Sequence, residues 1–180
     1  LQAPATAPAV EYLSLAGSLN ITDAGMAHVR RIERLRSLNL TNHRGLTDAA
    51  IAALSGHPYL ATLNLGYCTG LTDACLEHVG RMPKMGDLTL NGTRINGAGF
   101  THLVGLRELR SLGLHVTPVN DAAGAAIGRM TGLRSLFIWQ SQVTDATLPH
   151  IGRLTDLETL YLDRLPVTDA GLAHLSGLGK

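Results

Sequence analysis

Hydrophobic residues recur along the chain with a period of 24 or 25 residues. The pattern L-x-x-L-x-L, with small variations, begins at Val10, Leu35, Leu60, Met85, Leu109, Leu133 and Leu157. The first three spacings are 25 residues and the last three are 24. Within each pattern the x-L-x-L core alternates apolar and other residues, which predicts a short strand with one buried face.

A helix-start signal follows each predicted strand. It reads Ile-Thr-Asp, Leu-Thr-Asp or Val-Thr-Asp in five repeats, and its middle column is Thr or Asn in all seven: Thr22, Thr47, Thr72, Asn96, Asn120, Thr144 and Thr168. Either side chain can accept a hydrogen bond from the free N–H groups of a helix's first turn, so we assign the N-cap to this column. The following Asp places negative charge where it favours the helix dipole.

Apolar residues four and seven positions after each cap predict the buried face of a helix. These pairs are Met26/Val29, Ile51/Leu54, Leu76/Val79, Phe100/Leu103, Gly124/Ile127, Leu148/Ile151 and Leu172/Leu175. Gly124 makes the fifth repeat the weak layer, and we expect the large Phe100 side chain, one repeat earlier, to lean into that gap. Shortening Phe100 to Ala should then cost more than the ~2–3 kcal/mol of a modest core truncation.

Each unit is therefore a strand, a turn, a helix and a return loop, and stacked units bury a continuous core that none could bury alone. The prediction is an α/β fold: a right-handed β-α solenoid with a parallel sheet on its concave side and helices on its convex side. Seven repeats fill residues 10–180, and residues 1–9, rich in Pro and Ala, form a linker or N-terminal tail. The chain opens at Leu1 and not at Met, which favours a piece of a longer protein.

The combination of L-x-x-L-x-L with L/V-T-D-A-x-L-x-x-L resembles leucine-rich repeats of the cysteine-containing and related bacterial types. In that family the ninth residue of each unit bonds to the backbone of the neighbouring turn. Here the column is Ser18, His43, Cys68, Thr93, Thr117, Ser141 and Leu165, and Leu165 puts the turn of the last repeat in doubt. The resemblance implies protein recognition, as in the substrate receptors of ubiquitin ligases and in bacterial effectors delivered into host cells.

Composition excludes several function classes. A formal net charge of +1 gives no basic footprint for nucleic-acid binding. No apolar run is long enough to span a membrane, and the start does not resemble a signal peptide. Cys68 and Cys75 are the only cysteines, so the disulfide-bonded caps of many secreted repeat arrays are missing, which favours an intracellular setting. No cofactor is implied.

Two recurring polar columns could suggest chemistry, but architecture explains both. Six Asp residues follow cap residues and need no further role: Asp23, Asp48, Asp73, Asp121, Asp145 and Asp169. Histidine recurs six residues after the cap at His28, His78, His102, His150 and His174. Parallel helices stand roughly 10 Å apart, too far for two of these imidazoles to share a zinc ion easily. We therefore expect no metal site and no catalytic residue.

The concave positions of the last three repeats differ from the rest. Positions five and seven are small and polar in the first half of the chain, but the second half holds Phe137, Trp139 and Tyr161 there. Adjacent strands lie ~4.8 Å apart, so Trp139 should sit between His115 and Asp163, and Phe137 beside Tyr161. Aromatic residues with a polar rim are typical of binding hot spots. The predicted partner-binding residues are His115, Phe137, Trp139, Gln140, Tyr161, Asp163 and Arg164.

The sequence therefore predicts a protein-interaction module and not an enzyme. One setting is the recognition domain of a bacterial effector, delivered into the host cell, or of a ubiquitin-linked receptor. The alternative is a substrate-selecting domain of an enzyme whose catalytic domain lies outside this segment. A surface adhesion repeat also stays open, as does packing of the aromatic residues against one another or against a further C-terminal segment. The uncapped end repeats leave open a homodimer.

Overall fold

Seven strands of three residues each form one parallel sheet, in which every strand pairs with its neighbours in chain order. The computed structural model describes residues 9–179, so the predicted tail lies outside the described residues except for Ala9, as does Lys180. The strands are β1 Tyr12–Ser14, β2 Ser37–Asn39, β3 Thr62–Asn64, β4 Asp87–Thr89, β5 Ser111–Gly113, β6 Ser135–Phe137 and β7 Thr159–Tyr161. The register aligns the same column of every repeat, for example Leu13 with Leu38.

A helical segment follows each strand, and its form changes along the chain. The α-helices are α1 Asp23–Val29, α2 Asp48–Leu54, α3 Cys75–Val79, α4 Gly124–Ile127, α5 Leu148–Ile151 and α6 Asp169–Leu172. The 3-10 segments are Phe100–Leu103, Asp121–Ala123, Asp145–Thr147 and Ala173–Leu175. The three 25-residue repeats hold only α-helix, whereas the tighter 3-10 turn enters with the 24-residue repeats.

The core lies between the sheet and the helices, where the leucine columns stack. Leu38, Leu63 and Leu112 are each 0% exposed, and the helix residues Met26 and Phe100 are equally buried. The sequence prediction was wrong for Leu172, which is 48% exposed in the last repeat. Its counterparts are buried because the next repeat stacks on them, and in residues 9–179 no further repeat follows it.

The space beside Gly124 is filled differently from our expectation. We predicted that Phe100, from the preceding repeat, would lean into it. The atoms nearest to where a Gly124 Cβ would lie belong instead to His150 and Thr147, from the following repeat. A Cβ at this position would lie 2.8 Å from the His150 ring, so Gly124 allows the fifth and sixth repeats to approach each other.

The Asp column does more than complement helix dipoles, because its carboxylates join consecutive repeats. The Asp23 carboxylate accepts hydrogen bonds from the Thr47 backbone N–H at 2.9 Å and hydroxyl at 2.6 Å. Asp48, Asp121 and Asp145 accept the same pair of bonds from the next cap residue, and Asp73 accepts a bond from the backbone N–H of Asn96. The series skips one step at Gly97, whose φ of 100° and closeness to Ala123 leave no room for a side chain. Each bond satisfies donors at the start of a helical segment that would otherwise be free.

Hydrogen bonds of the ninth column depend on repeat length. In 25-residue repeats the side chains of His43 and Cys68 reach the carbonyl oxygens of Leu15 and Leu40, one repeat back. In 24-residue repeats Thr93 donates instead to the carbonyl of Leu90 in its own turn, at 2.6 Å. The predicted link to the neighbouring turn is therefore confirmed at His43 and Cys68.

Candidate functional site

A left-handed residue ends every strand segment and directs the side chains at that edge of the sheet. The eighth residue of each repeat has a φ between 55° and 69°: Gly17, Asn42, Tyr67, Gly92, Val116, Gln140 and Arg164. Its backbone N–H donates to the seventh-position carbonyl of the next repeat, as from Gln140 to Asp163 at 3.1 Å. The doubtful last repeat keeps this turn, since Arg164 has a φ of 56°.

Two stacked ring pairs lie side by side on the face of the sheet that points away from the helices, which we call the open face. The His115 and Trp139 rings are 4.5 Å apart and within 10° of parallel. The Phe137 and Tyr161 rings are 5.3 Å apart at 27°. The pairs form because strands β5 to β7 hold equivalent positions in register, with Phe137 directly opposite Tyr161.

Two contacts position His115: its imidazole stacks on the Trp139 indole, and its backbone N–H makes a hydrogen bond. The His115 N–H donates to the Asn91 side-chain oxygen at 3.0 Å. Gly113 leaves room for this contact, since a Cβ there would lie 2.9 Å from the same oxygen. Burial lowers the pKa of His115 below its ordinary value of 6.5. The imidazole is therefore neutral at pH 7 and stacks as an uncharged ring.

Beside the rings is a shallow depression of about 350 Å³ lined by Trp139, Tyr161, Asp163 and Arg164. Tyr161 is 48% exposed. Throughout residues 9–179, no group hydrogen-bonds or pairs with the Asp163 carboxylate or the Arg164 guanidinium. The same holds for the Trp139 indole N–H and the Tyr161 hydroxyl. Four polar groups therefore surround an aromatic floor with their hydrogen-bonding capacity unused.

Comparison with known proteins supports the fold. Internalin C2 of Listeria monocytogenes superimposes with a TM-score of 0.63 at 19% identity, over 93% of this chain and 78% of that one. A second Listeria internalin, inlF, matches with a TM-score of 0.58 at 22% identity, over 84% of this chain and 48% of that one. The fold is a leucine-rich-repeat solenoid. No family model matches the sequence. No curated protein matches it either.

The structure brings all seven predicted residues of the leucine-rich-repeat solenoid to one region. His115, Phe137, Trp139 and Tyr161 form the ring pairs, whereas Asp163 and Arg164 line the depression. Gln140 occupies the left-handed position between Trp139 and the last repeat, where it is exposed. We call these seven residues the aromatic patch.

Sequence reasoning missed Tyr67, which lengthens the aromatic patch toward the N-terminus. Its ring lies over Gly92, so closely that a Cβ there would collide with the ring. It meets His115 edge-on, with ring centroids 6.4 Å apart and planes at 68°. The signal in the sequence was Gly92 at the eighth position of one repeat, directly after a repeat with Tyr67 at that position. It can be recognised only once the eighth position is known to form the left-handed turn.

A second depression, at the edge where strands begin, is larger but less suited to binding. It measures about 430 Å³ and is lined by Glu11, Glu33, Arg34, Arg36 and Tyr59. Glu11 and Arg36 already pair with each other at 3.5 Å. Its walls are mainly charged and solvated, whereas the aromatic patch combines apolar area with unused polar groups.

Other candidate groups of the solenoid are structural. Burial raises the pKa of both thiols, Cys68 and Cys75, so they remain protonated and inert. No cluster of three His, Cys, Asp or Glu side chains able to hold a metal ion occurs within residues 9–179. Over the same range no helix is long and apolar enough to cross a membrane.

Proposed function

We propose that this chain is a protein-interaction module that binds a partner protein through the aromatic patch. One observation supports the proposal most strongly: the exposed Tyr161 ring and the half-buried Trp139 ring adjoin the Asp163 and Arg164 side chains, whose polar groups have no partner within the described chain. Stacking between the rings accounts for their positions but leaves these two charged side chains without a role. Trp, Tyr and Arg are the residues that most often dominate binding interfaces.

The electrostatics of the open face also favour protein recognition. Positions three, five and seven of the seven strand segments carry only two formally charged residues, Asp87 and Asp163. A nearly neutral face gives little long-range attraction for a polyanion, whereas a protein partner gains from apolar contact in the centre and polar contact at the rim. The repeat type suggests the recognition domain of a bacterial effector or of a ubiquitin-linked receptor, acting inside a cell.

A double substitution, Trp139→Ala with Tyr161→Ala, tests the proposal. Proteins captured from cell extract by the unmodified chain are identified by mass spectrometry and compared with those captured by the double variant. The matched control is Tyr59→Ala with Tyr12→Ala, which removes two exposed rings far from the aromatic patch. We expect the double variant alone to lose its specific partners. If the Trp139→Ala, Tyr161→Ala variant recovers the same partners as the control variant, the aromatic patch is not the binding site.

A further inference from the structure

The depression beside the stacked rings has walls that discriminate between kinds of side chain. Its floor is aromatic, from Trp139 and Tyr161, and its polar walls are one carboxylate and one guanidinium, from Asp163 and Arg164. Asp163 and Arg164 are both exposed, and within residues 9–179 neither side chain pairs with another residue. A ligand can therefore use all four groups without displacing an internal contact.

Resting on the proposed function, we infer that the partner inserts a tyrosine or tryptophan side chain into this depression. Its ring packs on Trp139 and Tyr161, the Arg164 guanidinium lies against the ring's negative face, and the Asp163 carboxylate accepts a hydrogen bond from the phenol O–H or indole N–H. These three contacts give each wall of the depression a role.

Charge complementarity selects this occupant over others. A lysine or arginine side chain would be attracted by Asp163 but repelled by the neighbouring Arg164. A leucine would fill the aromatic floor and leave the carboxylate and the guanidinium without partners, at a cost in desolvation. An aromatic ring with a hydrogen-bond donor satisfies both charges at once and remains neutral.

Capped amino acids test the inference by NMR. Trp139 is the only tryptophan, so in ¹⁵N-labelled protein its indole N–H peak reports on the site directly. The ligands are N-acetyl amides of tyrosine, tryptophan, phenylalanine, leucine and arginine, with methyl β-glucoside as a sugar. We expect saturable shifts from the tyrosine and tryptophan amides. The phenylalanine amide, which lacks the donor, should bind at least about fivefold more weakly than the tyrosine amide. Equal or tighter binding of the arginine amide, the leucine amide or the sugar would overturn the inference, as would no binding at all.

Substitution of the carboxylate separates a specific hydrogen bond from general stickiness. Asp163→Asn should weaken the tyrosine amide about fivefold or more and the phenylalanine amide less than twofold. Asp87→Asn, which alters the other charge of the open face in a distant repeat, should change neither. Equal weakening of both amides by Asp163→Asn contradicts the inference. If the Trp139→Ala, Tyr161→Ala variant loses the protein partner but the unmodified chain shows no selectivity among the amides, the inserted aromatic side chain is ruled out and the proposed function stands. If the unmodified chain selects among the amides but the variant still binds the protein partner, the proposed function is ruled out.

Discussion

The imidazole of His115 lies flat against the indole of Trp139, with ring centroids 4.5 Å apart. This contact joins two repeats on the open face and places a titratable ring under the only tryptophan of the chain. The pKa of His115 therefore reports whether the two rings stack in solution.

Trp139→Ala should raise the pKa of His115 toward its ordinary value of about 6.5. The pKa is lowered by burial, and the indole covers one face of the imidazole. A histidine with a lowered pKa contributes stability that is present above pH 6.5 and is lost as the pH falls through its folded-state pKa. The variant should therefore lose less stability on acidification in that window. A ¹H–¹³C NMR titration of the histidines measures the shift, and a further fall in the His115 pKa would show that cation–π attraction outweighs burial.

Asp121→Asn should lower the free energy of unfolding by about 1–2 kcal/mol, because charge-assisted bonds to neighbouring hydroxyl groups are lost. The Asp121 carboxylate accepts from the hydroxyls of Thr144 at 2.7 Å and of the buried Thr147 at 2.6 Å. Burial alone would raise the pKa of Asp121, but these bonds and the Thr144 backbone N–H outweigh it and lower the pKa below 3.8. The stabilisation is thus present at neutral pH and lost as the pH falls below about 4.

Asp169→Asn is the matched control for this prediction. Asp169 follows the cap of the last helix, but within the described chain its carboxylate accepts no hydrogen bond from a following repeat. Only the helix-dipole contribution should be lost, roughly 0.3–1 kcal/mol at most. Urea unfolding of both variants measures the difference, and equal losses would show that the links between repeats contribute nothing.

The strand columns, the cap bonds of the five middle repeats and the buried helix face of the first six repeats were predictable from the sequence, because each follows from hydrophobic period or capping chemistry. Thr22 and Thr168, in the first and last repeats, make no side-chain cap bond. The left-handed column was not, since Val116, Gln140 and Arg164 carry none of the preference for glycine that such a turn usually shows. Tyr67 was missed for the same reason, because its reach across Gly92 depends on that turn. The side chains beside Gly124 could not be predicted either. They come from the following repeat, and the pattern within one repeat does not show which neighbouring repeat lies closer.

Val116→Asn should stabilise the protein by about 1 kcal/mol, because a β-branched residue is strained at a φ of 56° and asparagine tolerates it. Val116 is 42% exposed, so little apolar packing is lost. The control is Val116→Thr, which adds polarity but keeps the branch and should give no gain. Urea midpoints at an unchanged m-value make the comparison, and destabilisation by asparagine would show that Val116 packing outweighs the strain.

Gly92→Ala should destabilise the protein and displace the Tyr67 ring from His115. The methyl group of the alanine meets the ring. The alanine backbone must also adopt a φ of 65°, which alone costs about 1–2 kcal/mol. Repeating the substitution in a Tyr67→Ala background removes the collision and leaves the backbone cost. A smaller loss in that background is expected from a double-mutant cycle. Identical losses would mean that the ring does not lie over Gly92 in solution.

The affinity of Trp139→Ala for the purified partner shows whether the aromatic patch holds that partner. Isothermal titration calorimetry should show at least a ~30-fold increase in Kd, as for a hot-spot residue, and a single cooperative unfolding transition confirms that the variant is folded. Tyr59→Ala, whose ring is exposed to the same 48% as that of Tyr161, should change Kd less than twofold. A Trp139→Ala variant that binds as tightly as the unmodified chain would show that the partner does not bind at the aromatic patch.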